Sequence, residues 1–433
     1  MLFGVRYEKL LKMMVRTVFI ILIGGVNMKC RYCGIENILE FIDLGQQPLA
    51  NEYLSKDDLN KGQYYLPLKV GFCKQCGLVQ VLDYELPQNI FNENYKYFSS
   101  YSSSWLEHCE KYVDMIVKRL GLNKDSNILE IASNDGYLLQ FFKKYEIDAW
   151  GIEPSASVAQ KAIEKGIRTE IVFFSEEYAK NKLSKKADLI IGNNVLAHVP
   201  DIGGFIRGLK AALSEAGTIT MEFPSVWELI KNKYFDTIYH EHFSYLSFKF
   251  VEKAFYDCGL EIYDIDRLQT HGGSLRIYAK HVENHNIKRE KSVTDLLEVE
   301  EQAGVSSFDL YKKFGELVCE TKYNTNFQLL KLKMKGKSIA GYGAAAKGNT
   351  LFNYVGIDKD IIEYVVDKSP YKQHLYLPGS QIPIYDISEI NRSKPDYVII
   401  IPWNLKSEIE QELKFIRTWG GRFITLLPNF MIW

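Results

Sequence analysis

The stretch NILEIASNDGYLLQFFKKYEIDAWGIEPS, residues 127–155, indicates the fold class of this chain. It opens with the apolar run NILEI, which is typical of a buried strand, and passes through the turn ASNDG into the helical pattern YLLQFFKKY. A second strand, AWGIEPS, ends in the acid Glu153. Strand, turn, helix and strand in this order predict an α/β unit with parallel strands.

The same alternation continues on both sides of a helical connector. ADLIIGNNVLAHV and GTITMEFPS add strands to the first unit, which is therefore predicted to be a doubly wound sheet. Residues 290–330 have the pattern of helices. The pattern then starts again with KSIAGYGAAAKGNTLF, IIEYVVDKSP, PDYVIIIPWN and RFITLLP, which predict a second, smaller Rossmann-like sheet.

Length and composition describe an ordinary folded protein of several domains. At 433 residues the chain exceeds what one hydrophobic core usually supports. Hydrophobic residues make up 46%, charged residues 25%, and the net charge is −1. Since there is no basic excess and no block of like charge, we expect no nucleic-acid partner.

The first residues contain the apolar run TVFIILIGGV behind several basic residues, as in a signal peptide. The run is about half of the ~20 residues that a membrane-spanning helix needs. It also directly precedes CRYCG, whose proposed role requires reduced thiols. We therefore predict that Met28 is the natural start, that residues 1–27 are an extension, and that the protein is cytoplasmic with no membrane partner.

Two CxxC pairs predict a zinc site. CRYCG and FCKQCG supply four of the seven cysteines and each ends in glycine, which tolerates the positive φ of a tight turn. Two such knuckles favour a closed Cys₄ structural zinc site, although the intervening segment is longer than usual. Redox dithiols and inert thiols are the alternatives. The predicted ligands are Cys30, Cys33, Cys73 and Cys76, and the other cysteines, Cys109, Cys258 and Cys319, are expected in the core.

These patterns give an α/β protein with three domains. A small zinc-binding domain comes first, a central doubly wound domain follows, and a smaller Rossmann-like domain ends the chain. The predicted boundaries are 28–95 for the zinc-binding domain, 96–330 for the central domain and 331–433 for the C-terminal domain.

The turn after the first central strand predicts a nucleoside-type ligand. Ser133, Asn134, Asp135 and Gly136 form this turn, and Glu153 closes the next strand, where a carboxylate can accept hydrogen bonds from both ribose hydroxyls. A pyrophosphate-binding loop needs three glycines, whereas ASNDG has one. The pattern therefore favours S-adenosylmethionine (SAM), although an ordinary strand–turn–helix remains the alternative.

The C-terminal domain supports a competing function. GYGAAA fits the GxGxxA fingerprint between a strand and a helix, and Asp367 closes the next strand. An NAD-dependent oxidoreductase of sugar nucleotides is thus a real alternative. A P-loop is excluded because the order is Lys347-Gly348 rather than Gly-Lys. A zinc scaffold without enzymatic activity is a third possibility, which the acids, imidazoles and hydroxyls after the core strands disfavour.

The segment YHEHFSYLS, residues 239–247, concentrates titratable side chains. His240 and His242 are two apart, so on an extended chain they share one face. A histidine has a pKa near working pH and can move protons. An HxH pair can also bind a metal, with His198 and His271 as further candidate ligands. A polar strand end with hydrogen-bonded histidines is the remaining interpretation.

Taken in order, ten motifs resemble one family, the zinc-bearing, SAM-dependent sugar C-methyltransferases that act on nucleotide-linked 4-ketosugars. The resemblance covers residues 28–433, and only Ala132-Ser133 replaces the usual Gly-Cys before Asn-Asp-Gly. The motifs are CRYCG, DLGQQPLAN, CKQCG, YFSSYSSSW, ILEIASNDGYLL, NNVLAHVPD, YHEHFSYLS, HGGSLR, GYGAAAKGNTLFN and LPGSQIPI.

The resemblance implies a base, a hydrogen-bond donor to the enolate and a methyl donor at one site. His242 would take a proton from the carbon beside the ketone, while Tyr239 would hydrogen-bond the keto oxygen. Glu241 would orient a ring nitrogen or the sugar, and His198 would face the keto group. Asn193 of NNVLAHVPD joins the predicted cofactor-binding residues.

The resemblance also implies where the sugar nucleotide lies. Its phosphates would meet Lys347 and the helix N-terminus after Gly343. We expect the protein to act as a monomer or weak oligomer on this small-molecule substrate. The predicted substrate-binding residues are Tyr97, Tyr101, His271, Lys347 and Asn349.

Overall fold

The structure, a computed structural model, describes residues 29–83, 86–90 and 98–433. The predicted extension 1–27 and the predicted substrate-binding residue Tyr97 lie outside the described residues. None of the helices in the described part is both long and apolar enough to cross a membrane.

The zinc-binding unit is built on an antiparallel sheet that borrows a strand from the central domain. Its sheet has the order β1-β2-β3-β9, and β9 (Ser244–Tyr245) belongs to the segment that contains the histidines. Val79 of β3 pairs with Tyr245 of β9. The unit's own elements are β1 (Ile38–Gln47), β2 (Leu66–Cys73), β3 (Val79–Val81) and α1 (Pro87–Ile90).

The central domain confirms the predicted doubly wound sheet, with the order β10-β11-β8-β7-β4-β5-β6. The strands from β4 to β8 are parallel, while β10 and β11 add an antiparallel hairpin at one edge. The strands are β4 (Ile128–Ile131), β5 (Trp150–Ile152), β6 (Thr169–Glu170), β7 (Ala187–Asn193), β8 (Leu213–Pro224), β10 (Leu260–Leu268) and β11 (Ser274–His281).

The helices of the central domain begin where the sequence supplies a capping side chain. Ser102 accepts a hydrogen bond from the backbone of Trp105, and Asp201 does the same for Gly204, so orphan N–H groups are satisfied. The helices are α2 (Ser103–Leu120), α3 (Ala156–Glu164), α4 (Glu176–Asn181), α5 (Ile202–Ala212), α6 (Val226–Lys231) and α7 (Phe248–Asp257).

One predicted helix differs from the structure. YLLQFFKKY forms a 3₁₀ segment over Leu139–Tyr145 instead of an α-helix. Leu138, Leu139 and Phe142 are buried in one core, and Phe141 and Tyr145 pack against it, so the segment makes apolar contacts along most of its length.

Two helices, α8 (Lys291–Gln302) and α9 (Phe308–Lys333), follow the central sheet, in agreement with the helical pattern of residues 290–330. The C-terminal sheet confirms the second Rossmann-like unit, with the order β14-β13-β12-β15-β16-β17 and only β17 antiparallel. Its elements are β12 (Ile339–Tyr342), α10 (Ala346–Val355), β13 (Val365–Val366), β14 (Ile384–Tyr385), α11 (Ser388–Ser393), β15 (Tyr397–Ile400), α12 (Lys406–Glu412), β16 (Arg422–Thr425) and β17 (Met431–Ile432).

The zinc-binding unit shares its hydrophobic cores with both larger domains. Cys30, Cys73 and Cys76 are buried among side chains of the central sheet. Residues of β1 and β2 are buried instead with side chains of the C-terminal domain. The described residues of the unit form no separate cluster of buried side chains, so its position is fixed by the two domains that it joins. Of the remaining cysteines, Cys109 is buried, whereas Cys258 and Cys319 are only half-buried.

Candidate active site

The four knuckle cysteines converge with the geometry of a tetrahedral metal site. The Sγ atoms of Cys30 and Cys76 are 3.6 Å apart, as are those of Cys33 and Cys73. Sulfurs held at the Zn–S distance of about 2.3 Å in a tetrahedron lie about 3.8 Å from one another. The donor set and its spacing therefore fit a structural zinc ion with no open position. In the described part of the chain, these cysteines form the one group close enough to hold a metal ion.

A cavity of about 700 Å³ lies where the three units meet. Its walls come from the carboxyl ends of the central strands, from the histidine segment, from the zinc-binding unit and from the start of α10. Ligands of doubly wound sheets bind at this edge of the sheet. Among the residues that line it are Asn51, Trp105, Asn134, Glu153, Asn193, His198, Tyr239, Glu241, His242, His271, Lys347 and Lys372.

One end of the cavity is arranged around Glu153. Its carboxylate accepts the backbone N–H groups of Asn134 at 3.0 Å and of Ser155 at 2.9 Å. Each carboxylate oxygen has a second lone pair, so ribose hydroxyls can still donate to it. Burial raises the pKa of Glu153 to about 7. With the apolar Ile152 and Phe173 beside it in the wall, this end fits the adenosine part of SAM.

The turn residues divide into those that line the cavity and those that support it. Asn134 and Asn193 line it, whereas Ser133 and Asp135 are buried behind the wall. Gly136 has φ +75°, and a Cβ there would lie 2.3 Å from Ile167 Cδ1. The glycine is thus required by the close packing of the turn rather than by contact with the cavity.

His242 is held in one tautomer. Its Nδ1 lies 2.8 Å from the carbonyl oxygen of Thr237, which can only accept, so Nδ1 carries the proton and Nε2 retains its lone pair. The rings of Tyr239 and His198 lie 4.0 Å and 4.7 Å from the imidazole, centroid to centroid. Burial and the neighbouring His198 hold the pKa of His242 well below its usual value. The ring is therefore neutral at working pH and able to accept a proton.

The other predicted catalytic residues surround this imidazole. His198 follows β7, and burial lowers its pKa to about 4, opposed by a hydrogen bond to the backbone of Glu241. The Glu241 carboxylate accepts a 2.6 Å hydrogen bond from the amide of Asn51, which belongs to the zinc-binding unit. His240 donates to the carbonyl of Pro67 in β2 over 3.1 Å. This contact gives His240 a structural role.

A second connection to the zinc knuckles lies just beyond the histidines. The guanidinium of Arg31, which stands between Cys30 and Cys33, donates to the carbonyls of Val81 and Phe243. It also donates to Ser244 Oγ at 3.3 Å. The first knuckle therefore contacts the segment directly after His242.

His271 and Lys347 complete the opposite wall. His271 has φ +53°, and its Nε2 accepts a 3.1 Å hydrogen bond from the amide of Asn194. Its ring centroid lies 5.3 Å from that of Trp105. Lys347 is in the first turn of α10, and its ammonium lies 4.4 Å from the ring centroid of Trp403. Lys372 donates to the carbonyl of Ala344 at 2.7 Å beside it.

Two predicted substrate-binding residues, Tyr101 and Asn349, do not line the cavity. Tyr101 is 62% exposed and forms an aromatic cluster with Phe98 and Tyr371. Asn349 is only 1% exposed, and its amide donates to the carbonyl of Ala50 at 2.6 Å. The face of α10 that carries Asn349 packs on the zinc-binding unit, so its side chain connects two units.

Sequence reasoning missed several residues around the site, and most of them come from neighbouring units. Asn51 lies in the motif DLGQQPLAN, which had no role assigned to it. Lys372 and Trp403 follow strands of the C-terminal sheet. Their positions just beyond β13 and β15 could have signalled them, since ligands meet the carboxyl ends of parallel strands.

Comparisons with known proteins agree with this architecture. Family models match three consecutive parts of the chain: a zinc binding domain at residues 30–91, a methyltransferase domain at 105–265 and a C-methyltransferase C-terminal domain at 269–428. With the cavity at the sheet edge, they define the class of the protein as SAM-dependent methyltransferases.

A curated relative defines the family. The C-methyltransferase NovU of Streptomyces niveus is 32% identical over 405 residues, which cover 93% of this chain and 96% of NovU. The chain belongs to the family of zinc-binding, SAM-dependent C-methyltransferases.

Solved structures with partial similarity include other methyltransferases. A SAM-dependent methyltransferase of Clostridium acetobutylicum ATCC 824 has 12% identity and a TM-score of 0.34, covering 41% of this chain and 92% of that one. Magnesium protoporphyrin IX methyltransferase of Synechocystis PCC 6803, with bound SAH, has 16% identity and a TM-score of 0.33, covering 40% of this chain and 82% of that one.

Proposed function

We propose that the protein methylates the carbon beside the ketone of a nucleotide-linked 4-ketosugar, at C3, with His242 as the base. The main support for this proposal is the hydrogen bond from His242 Nδ1 to the Thr237 carbonyl. It leaves Nε2 as a proton acceptor in the same cavity as Glu153, which we propose binds the ribose of SAM. We expect the enzyme to act as a monomer or weak oligomer in the cytoplasm.

The need for a ketone follows from the chemistry of C-methylation. A sugar carbon becomes a nucleophile only after it loses a proton, and this loss is feasible beside a carbonyl that accepts the electron pair. A neutral imidazole in the cavity wall can take that proton. Bound SAM supplies an electrophilic methyl group, and the negative charge on the substrate oxygen has to be stabilised until transfer.

Tyr239 is the proposed donor to that oxygen. Its ring lies 4.0 Å from the His242 ring, so a base and a phenol O–H are adjacent in the cavity wall. His198 is neutral and has an N–H directed to the Glu241 backbone, so its second ring nitrogen can accept a hydrogen bond. We assign His198 to a sugar hydroxyl beside the keto group, and Glu241 to orienting the sugar next to it.

The diphosphate of the nucleotide is proposed to lie at the start of α10. Ala345, Ala346 and Lys347 line the cavity there, and the first N–H groups of a helix attract anions. Lys372 lies in the same wall and adds a second positive charge. A diphosphate at this end would leave the sugar near Tyr239 and His242, between the two larger domains.

The NAD-dependent alternative is not favoured. Asp367 accepts the backbone N–H of Ala344 at 2.7 Å and is not among the residues that line the cavity. Tyr53 of the zinc-binding unit donates to the carbonyl of Ala344 at 2.6 Å. Calorimetry with SAM and with NAD separates the two functions, because only SAM should release or absorb heat on binding.

The substrate is tested by mass spectrometry of the products. The enzyme is incubated with SAM and a panel of dTDP-, GDP- and CDP-4-ketosugars, and we expect one or more to gain the mass of one CH₂. The same sugars reduced to the alcohol at C4 are the control and should remain unmethylated. Methylation of the reduced sugars, or of none of the ketosugars, would refute the proposed substrate class.

A further inference from the structure

The base-bearing segment is contacted by a side chain of the C-terminal domain that sequence reasoning had not singled out. Trp403 follows β15, and its indole stacks on the ring of Tyr234 at a centroid distance of 3.6 Å and an angle of 13°. Its Nε1–H donates to the carboxylate of Asp236 at 2.7 Å. Stacking and a charge-assisted hydrogen bond fix the indole in two independent directions.

Asp236 is a fully buried carboxylate, and the indole of Trp403 is a hydrogen-bond donor to it. It is 0% exposed, and burial raises its pKa to about 6, opposed by the charge of Lys347 and by the hydrogen bond from Trp403. A buried acid of this kind is costly unless it is hydrogen-bonded. The hydrogen bond from Trp403 therefore helps to hold the backbone of Asp236 in place.

The indole also meets the phosphate end of the cavity. The ammonium of Lys347 lies 4.4 Å from the ring centroid of Trp403, within the range of a cation–π interaction. The loop that carries His271 packs on the same ring, since a Cβ on Gly272 would lie 2.6 Å from Trp403 Cη2. Trp403 is thus surrounded by the phosphate-binding lysine, the HGGS loop and the base-bearing segment.

A short path leads from this indole to the proposed base. Asp236 and Thr237 belong to one 3₁₀ turn, Phe235–Thr237. The carbonyl of Thr237 is the acceptor that fixes His242 Nδ1. Displacement of Asp236 would move the neighbouring carbonyl, and an imidazole misplaced by about 1 Å can lose about 10²-fold in rate.

We propose that Trp403 is a positioning residue that orients His242 through Asp236 and Thr237 and links the base to the phosphate subsite at Lys347. The inference rests on the proposed function, since it takes His242 as the base. Substrate phosphates that pull Lys347 towards them would act on the same indole that holds the catalytic turn. The C-terminal domain would then contribute to turnover as well as to substrate affinity.

The test replaces Trp403 by phenylalanine, which keeps an aromatic ring but removes the N–H donor. Trp419→Phe is the matched control, because Trp419 is in the same domain and donates its own Nε1–H to the carbonyl of Pro395 at 3.1 Å. We expect Trp403→Phe to lower kcat at least tenfold while the Kd of SAM stays within about twofold. Trp419→Phe should keep kcat within about twofold of the wild-type value, even if it lowers the melting temperature as much as Trp403→Phe does.

A second route uses the carboxylate. Asp236→Leu should lower kcat as much as Trp403→Phe, and Asp236→Asn, which retains an oxygen acceptor, should recover most of that loss. The double variant Trp403→Phe/Asp236→Leu should lose little more than either single variant, as expected for one interaction. If Trp403→Phe does not fold, the positioning role is tested by comparing kcat and the Kd of SAM between Asp236→Leu and Asp236→Asn.

The outcomes separate the inference from the proposed function. A wild-type enzyme that methylates none of the 4-ketosugars refutes the proposed function. If the wild type is active and both Trp403→Phe and Asp236→Leu keep the wild-type kcat, the positioning role alone is overturned. A loss of SAM affinity equal to the loss of kcat would indicate general damage and would also overturn it.

Discussion

Glu153 and Asp367 occupy equivalent positions in the two parallel sheets, yet only Glu153 lines the cavity. Each closes the second strand of its sheet, and each carboxylate accepts two backbone N–H groups. For Glu153 these bonds are 3.0 Å and 2.9 Å long, and for Asp367 they are 2.7 Å and 2.8 Å. The local geometry that a nucleotide fingerprint encodes is therefore present twice in this chain.

The difference lies in what stands opposite each acid. The turn beside Asp367 is contacted by Tyr53 and Lys372, which both donate to the carbonyl of Ala344. Beside Glu153 the wall is open to the cavity. A fingerprint motif thus specifies a strand, a turn and a helix, while neighbouring units decide whether a ligand can enter.

We therefore expect the two sheets to have different roles, with SAM bound at the central sheet and the substrate phosphates at the C-terminal one. The largest predicted effect concerns the base, His242, which lies in neither sheet. His242→Gln should lower kcat by about 10²–10⁴-fold, because general-base catalysis contributes about that much. The Kd of SAM should remain within about twofold, since Glu153 is unchanged. His285→Gln, the same change at an exposed histidine, is the control. Methyl transfer at the wild-type rate in His242→Gln would refute the assignment of the base.

The second prediction tests the two acids directly. Glu153→Gln should weaken SAM binding by about 10- to 100-fold, because an amide N–H replaces one of the two acceptor oxygens and an unpaired buried donor costs about 1–3 kcal/mol. Asp367→Asn is the matched change in the other sheet and should alter the Kd of SAM by less than about twofold. Calorimetry on both variants measures this, and equal weakening in the two would remove the distinction between the sheets.

A smaller effect is expected from the phosphate end of the C-terminal sheet. Lys347→Met should raise the KM for the ketosugar nucleotide about tenfold, because it removes one charge-assisted contact to the diphosphate. The Kd of SAM should not change. Lys359→Met, at an exposed lysine of the same domain, serves as the control. If Lys347→Met weakened SAM rather than the sugar nucleotide, the proposed orientation of the substrate would be reversed.

The smallest effect is predicted for acid pH. The pKa of His242 lies well below its usual value, so the base stays neutral as the pH falls past 6.5, and the acid limb of kcat shifts downwards. An unshifted histidine would be about one-tenth neutral at pH 5.5. We expect kcat at saturating substrates to fall by less than about twofold between pH 8 and pH 5.5. A tenfold fall would show that the imidazole has an ordinary pKa.

The sequence contained enough information for the sheets and for the residues at strand ends. Periodicity located the strands before Glu153, Asn193 and His198, and the parallel arrangement places their ends along one edge. The CxxC spacing likewise identified the four cysteines that converge. These predictions depend on local patterns, which a single sequence displays.

Contacts between units could not be predicted in this way. Asn349 was expected at the substrate but faces Ala50, because the zinc-binding unit packs on that side of its helix. Trp403 reaches a carboxylate 167 positions away in sequence, and no local pattern encodes such a pairing. The helical pattern of YLLQFFKKY did not distinguish the 3₁₀ segment Leu139–Tyr145 from an α-helix, because its apolar residues occur at spacings of both three and four.

The central claim, that His242 removes a proton from the carbon beside a ketone, can be measured without methyl transfer. The enzyme is incubated in heavy water with a 4-ketosugar nucleotide and with SAH in place of SAM, and the deuterium content of the sugar is followed by mass spectrometry. We expect exchange at that carbon with the wild type and its loss with His242→Gln. No exchange with the wild type across the panel, or equal exchange with His242→Gln, would contradict it.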